Sequence, residues 1–140
     1  MFVLDANVVS ELRRSDKADQ KVVAWASSVP LASIFLSAIT VLELELGVLP
    51  MERKDKAQGL VLRAWVDGQI MSRFEGRILP VDAAVAQRCA RLHVPDPRAE
   101  RDALIAATAL VHGMTVVTRN TADFEPTGVQ ILNPWTWAGF

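Results

Sequence analysis

Phe2-Val3-Leu4-Asp5-Ala6-Asn7-Val8-Val9-Ser10-Glu11-Leu12 opens with three apolar residues, stops them with an acid and continues into an amphipathic stretch. A short apolar run of this kind reads as a buried strand, and the residues after Asp5 as a helix. The same change from strand to helix recurs along the chain. Ile34–Ser37 predicts a second strand. From Thr40 onward Val41, Leu42, Leu44 and Leu46 predict a helix that stops near Gly47 and Pro50. Before that strand, 17–28 carries Val22, Val23, Trp25 and Ala26 between charges, a helical pattern. Glu52 to Asp55 opens a longer helix running to about Phe74. Ile78-Leu79-Pro80-Val81 predicts an edge strand, because Pro80 has no N–H for a ladder. Asp82 caps a helix to about Ala90. Arg98–His112 forms another, closed by Gly113, and strands follow over 114–118 and 129–132. Strands alternating with helices predict a parallel sheet covered on both faces, the α/β class. In such sheets function gathers beyond the C-terminal strand ends, where Asp5 and the Thr118-Arg119-Asn120 turn are expected.

The chain has 140 residues, 51% apolar and 22% charged, which suits one globular domain spanning 1–140. Fifteen basic and sixteen acidic residues leave a net charge of −1, which excludes a generally cationic nucleic-acid coat. Cys89 is alone, so neither a disulfide framework nor a thiolate zinc cage is expected. His93 and His112 are a thin basis for a metal site. No apolar run reaches the roughly 18 residues of a membrane span, and Asp5 interrupts any secretory leader. The expectation is a cytoplasmic protein without a membrane segment.

Four acids stand apart from the solvated charges, and each has an ordinary structural reading. Asp5 reads as a helix N-cap. Glu43 completes a Thr40-Val41-Leu42-Glu43 capping box, although the leucines around it point to burial, where a carboxylate needs a partner. Asp102 is an acid in a first helical turn, with Ala106 and Ala109 on the same face leaving room for close approach. Asp123 reads as a turn residue after Thr118-Arg119-Asn120. Each acid therefore has a plausible structural job, and only their joint occurrence changes the reading. Eleven of the fifteen basic residues are arginines, whose planar guanidinium suits phosphate. Arg13-Arg14, Arg98, Arg101 and Arg119 are candidates to flank a substrate groove, with Arg14 and Arg119 as candidate substrate contacts. Trp135 and Trp137 read as packing for the C-terminal segment.

The stretches around these acids resemble the PIN-domain ribonucleases, specifically VapC-type toxins of bacterial toxin–antitoxin pairs and their FitB-like relatives. They are Leu4–Glu11, Leu36–Leu44, Asp102–Ala109 and Val116–Phe124, followed by Ile131-Leu132-Asn133-Pro134-Trp135. The resemblance implies a three-layer α/β/α sandwich with a mainly parallel central sheet. It also implies an acidic Mg²⁺ or Mn²⁺ site built from Asp5, Glu43, Asp102 and Asp123, with Asn7, Thr118 and Asn120 as supporting groups. Some relatives carry an aspartate at the position of Asn120; this chain has the acid three residues on, at Asp123. The implied activity is endoribonuclease action, hydrolysis of RNA phosphodiesters by a metal-activated water, leaving 5′-phosphate and 3′-hydroxyl ends. The implied partners are a VapB-like antitoxin, RNA as substrate, DNA only through the antitoxin, and a second copy of the chain in a homodimer or a higher assembly with the antitoxin.

Two other readings compete. A phosphatase using Asp5 as covalent nucleophile needs a second acid two residues on, where this chain has Asn7. A PIN-like binding module with little catalysis would instead regulate transcription through its DNA-binding partner.

Overall fold

A computed structural model describes residues 1–14 and 16–139. Strand β1 (Phe2–Leu4) runs at the centre of a five-stranded parallel sheet of order β3-β2-β1-β4-β5. The other strands are β2 (Ile34–Ser37), β3 (Ile78–Leu79), β4 (Thr115–Val117) and β5 (Ile131–Leu132). Leu4 pairs with Leu36 on one side and Val117 on the other. Side chains alternate across a strand, so each face of the sheet receives its own core. Leu4 and Val117 join Val8, Trp25, Leu36 and Val48 on one face, whereas Val3 and Val116 join Ile39, Ile105, Ala106 and Phe124 on the other. The expected three-layer α/β/α sandwich is what forms.

Helices α1 (Ala6–Arg13), α2 (Gln20–Ser28), α3 (Ala38–Lys54) and α4 (Lys56–Trp65) lead to a π-helical turn (Val66–Ile70) and a short α5 (Met71–Arg73). Then come α6 (Ala83–Leu92), α7 (Glu100–His112) and the single-turn α8 (Thr121–Phe124). Ala106 and Ala109, both fully buried, let α7 lie close on the sheet, so the small face meets an element rather than a ligand. Asp82 caps α6 through the Val85 N–H, and Gly113 ends α7 in the left-handed region as its position required. Trp135 and Trp137 pack against the first core as expected.

Three local expectations are corrected. The helix after β2 starts at Ala38, capped by the Ser37 hydroxyl, which accepts the Ile39 N–H at 3.0 Å. Thr40 therefore forms no capping box. Its buried hydroxyl donates instead to the Leu4 carbonyl at 2.9 Å, pinning α3 to the end of β1. Neither Gly47 nor Pro50 stops α3, which runs on to Lys54. An interior proline costs about 3 kcal/mol. The buried contacts of Ile39, Leu44 and Val48, and the packing of α4 behind, outweigh it. Consequently Glu52–Lys54 belong to α3, and Asp55 caps the next helix by accepting from Ala57 and Gln58. Finally, α7 begins at Glu100, two residues later than expected. Among the described residues, no helix is long and apolar enough to cross a membrane.

The α3–α4 junction is tight. Arg63 reaches Glu45 and Glu52 of α3 at 2.8 Å each, and Gly59 lies against the Glu52 backbone. A methyl group at Gly59 would sit 2.6 Å from the Glu52 Cα. Gly59→Ala is therefore expected to destabilise by about 1–3 kcal/mol through overpacking, despite alanine's better helix propensity. Urea unfolding measures it, and a variant as stable as the parent would contradict the close approach.

Candidate active site

The sheet changes direction between β1 and β4, because the chain adds β2 and β3 on one side and then returns to the other. Crevices form at such switch points, beyond the carboxyl ends of the strands. Asp5 sits there. Its N–H donates to the Val117 carbonyl at 2.9 Å, extending the ladder by one residue. Oδ1 accepts the Ala6 N–H at 2.9 Å, so the predicted N-cap is real. Oδ2 accepts the Thr118 hydroxyl at 2.8 Å and the Asn7 amide at 3.3 Å. Thr118 is fixed in turn by the Asn120 N–H at 3.0 Å, and Asn7 by accepting the Arg119 N–H at 3.3 Å. Asp5 is thus a cap and a rigidly oriented, 5% exposed carboxylate at once.

Helix α3 supplies Glu43, α7 supplies Asp102 in its first turn, and α8 supplies Asp123. Burial raises the Asp5 carboxyl above its ordinary range, against the pull of its hydrogen bonds, and the charge of Asp123 adds to the rise. Burial, then Asp5 and Asp102, raise Glu43. Burial, then Asp5 and Asp123, raise Asp102. The charges of these acids act on one another. Among the described residues, no three of them bring carboxylate oxygens within 4.8 Å of one another. Oε1 of Glu43 is buried without a hydrogen-bond partner, while Oε2 lies 3.8 Å from Arg101. A buried carboxylate oxygen left unpaired is costly. An all-oxygen donor set with one such orphan fits a hard divalent cation such as Mg²⁺ or Mn²⁺.

A groove of about 370 Å³ leads from the acids between α1, α3 and α4, past Asn7, Glu43, Val48, Arg13, Arg14 and Trp65. Arg14 is exposed on its wall, 3.7 Å from Glu11. The other arginines diverge: Arg119 lies 5.0 Å over the Trp135 ring, and Arg98 donates to the Leu92 carbonyl.

One group that sequence spacing did not bring together is Cys89, His93 and Glu100, whose ligand atoms all lie within 4.8 Å. Cys89 and His93 stand one turn apart on and just after α6. His93 Nδ1 accepts the Arg98 N–H at 3.0 Å, so in the neutral ring Nε2 carries the proton and offers no lone pair. The trio reads as a clasp on the 93–98 loop.

The PIN-domain profile matches residues 2–128. The toxin FitB of Neisseria gonorrhoeae is 41% identical over 141 residues, covering 96% of this chain and 99% of the relative. The VapC ribonuclease Y4jK of Sinorhizobium fredii is 36% identical over 140 residues, covering 96% and 98%. Among solved structures, FitAcB from Neisseria gonorrhoeae superposes with a TM-score of 0.87 at 39% identity, covering 98% of this chain and all of that one. FitAB bound to an IR36 DNA fragment gives 0.85 at 38%, covering 99% of each chain.

Proposed function

The chain belongs to the PIN-domain family, and from that premise we propose that it is a divalent-metal-dependent endoribonuclease, the toxin of a toxin–antitoxin pair. The observation that carries the proposal is the convergence of Asp5, Glu43, Asp102 and Asp123 at the β1–β4 switch point, with the Glu43 Oε1 buried and unpaired. These four would hold Mg²⁺ or Mn²⁺, which when bound supplies the Lewis acidity that lowers the pKa of a water and offsets charge on phosphodiester oxygens.

The chain's own residues prepare that arrangement. Thr118 and Asn7 donate to Asp5 Oδ2, so its carboxylate is oriented before any ligand arrives. Asn120 acts through its backbone, holding the Thr118 hydroxyl. Asp123, whose charge reaches both Asp5 and Asp102, is the fourth acid. The presence of all four acids supports catalysis over a purely regulatory module.

The relatives FitB and FitAB extend the reading to partners. A VapB-like antitoxin would bind this chain, DNA would be reached through it, and the toxin would form homodimers in the cytoplasm. The groove past Val48, Arg13 and Trp65 offers an antitoxin segment apolar and charged contacts beside the acids.

Protein freed of antitoxin and incubated with total RNA in Mn²⁺ or Mg²⁺ is expected to yield discrete fragments that vanish with EDTA and with Glu43→Gln. Intact RNA throughout, from a folded protein that binds no Mn²⁺ by calorimetry, would overturn the proposal.

A further inference from the structure

We propose that Arg101 is a catalytic residue of this site, gripping the phosphate of the RNA strand at the scissile position; the inference rests on the ribonuclease reading above. Arg101 is the second residue of α7, immediately before Asp102. One guanidinium nitrogen lies 3.8 Å from Glu43 Oε2, across an open groove lined by Ala99, Glu100, Arg101, Asp102 and Glu43. At that distance the pair shares charge without a formed hydrogen bond, and the Arg101 side chain is 51% exposed.

Arg14 stands on the wall of the other groove, 3.7 Å from Glu11, and the remaining arginines near the strand ends and grooves are committed elsewhere. Arg98 donates to the Leu92 carbonyl, Arg63 is held by Glu45, Glu52 and Asp67, and Arg77 donates to backbone carbonyls of Leu31, Ile34 and Arg73. Arg13 and Arg119 lie over Trp65 and Trp135. The neighbouring Glu100 is drawn the other way, 3.8 Å from His93. The charge of Arg101 opposes the rise at both Glu43 and Asp102.

Charge logic sets what Arg101 does when the site is loaded. Positive charge among the acids weakens the net attraction of Glu43 for Arg101, and a half-exposed guanidinium then has its donors free. A phosphodiester brings a negative charge to the same spot, and its two non-bridging oxygens match the guanidinium fork. Donors fixed where charge develops on a reacting phosphoryl group act on the transition state rather than on binding alone.

The alternative is that Arg101 serves only as a counter-ion to the acids, and the two roles separate experimentally. Arg101→Ala and Arg101→Lys are compared with the parent for cleavage of a labelled single-stranded RNA at saturating Mn²⁺, for Mn²⁺ affinity by calorimetry, and for affinity toward a phosphorothioate-protected RNA by fluorescence anisotropy at the same Mn²⁺ concentration. As a phosphate contact, Arg101→Ala lowers kcat/KM roughly tenfold to hundredfold, and Arg101→Lys restores part of it. The slope of log affinity for RNA against log salt falls by about 0.7, one single-strand phosphate contact. Mn²⁺ affinity stays level or improves, since a positive charge has left the pocket. Unchanged cleavage and salt slope would overturn the proposal, as would a cleavage loss that tracks weakened Mn²⁺ binding. If the parent leaves RNA intact, the nuclease reading fails by itself. The anisotropy arm then still decides for Arg101, because equal RNA affinity and salt slope in parent and Arg101→Ala overturn its role.

Discussion

Asp5→Asn is expected to abolish RNA cleavage, by about a thousandfold or more, while leaving the fold intact. Both halves follow from the two jobs of one side chain. As an N-cap, asparagine is as good as aspartate, and its side-chain oxygen still accepts the Ala6 N–H that Oδ1 accepts now. The ladder bond from the residue 5 N–H to Val117 belongs to the backbone and is unaffected. Asparagine turns an N–H toward Thr118 and Asn7 where Asp5 Oδ2 now accepts from both, so two contacts are disturbed at a cost of about 1–3 kcal/mol, short of unfolding the chain. Removing a buried charge that repels Asp102 and Glu43 also favours the folded chain. The catalytic half fares differently. Asp5 is the acid at the centre of the field, felt by Glu43 and Asp102, and the only one of the four that is a fixed part of the sheet. Losing its charge should lower both cation affinity and transition-state stabilisation; a thousandfold loss corresponds to about 4 kcal/mol. Circular dichroism and a fragment assay on total RNA test the two halves together. A folded variant that still cuts would remove Asp5 from the mechanism.

This dual use of Asp5 explains what was and was not readable from the sequence. The strands are legible because each is a short apolar run, and their parallel arrangement follows from strands alternating with helices. What fails is local chemistry that tertiary structure overrules. Thr40 and Glu43 have the spacing of a capping box, yet Ser37 lies three residues nearer the strand and takes the cap, freeing Thr40 to bond Leu4 across 36 positions. Gly47 and Pro50 are stop signals that the buried face of α3 overrides. Each acid, read singly, has an adequate structural job, and for Asp5 that job is confirmed. Their convergence depends on the return of the chain from β3 to β4, a long-range fact that no local window contains. Resemblance supplied it in the sequence. The arginines were less legible still, because Arg98 and Arg101 differ only in which neighbours they find: a loop carbonyl for one and the rim of the acidic pocket for the other.

Asp102→Asn should raise the melting temperature of the metal-free protein at neutral pH and abolish the stabilisation that Mn²⁺ gives the parent. The sign comes from proton linkage. Asp5, Glu43 and Asp102 all have carboxyls raised above their ordinary values of 3.8 for Asp and 4.5 for Glu. A carboxyl raised on folding binds its proton more tightly in the native chain than in the unfolded one, so stability falls as pH rises through that interval. Their contribution is fully present below about pH 4 and gone once pH has passed the raised values, which leaves the neutral, metal-free protein carrying the whole repulsion. Asparagine at 102 removes one of the interacting charges. It also forfeits the favourable placement of an acid in the first turn of α7, worth about 0.3–1 kcal/mol at a surface. Burial together with the charges of Asp5 and Asp123 opposes the acid there. Asp102 is the cleaner site for this test, since both oxygens of Asp5 are engaged in hydrogen bonds that its replacement would disturb. A ligand at a hundredfold excess over its Kd adds about 2.7 kcal/mol to the native state, so Mn²⁺ should lift the parent well above the variant. The two melting temperatures therefore cross: the variant is higher by a few degrees in EDTA at pH 7, close to the parent near pH 4, and lower in Mn²⁺. A variant that melts below the parent in EDTA would show that Asp102 is held by the helix terminus rather than opposed by its neighbours. Equal gains from Mn²⁺ in both proteins would place the cation somewhere other than among these acids.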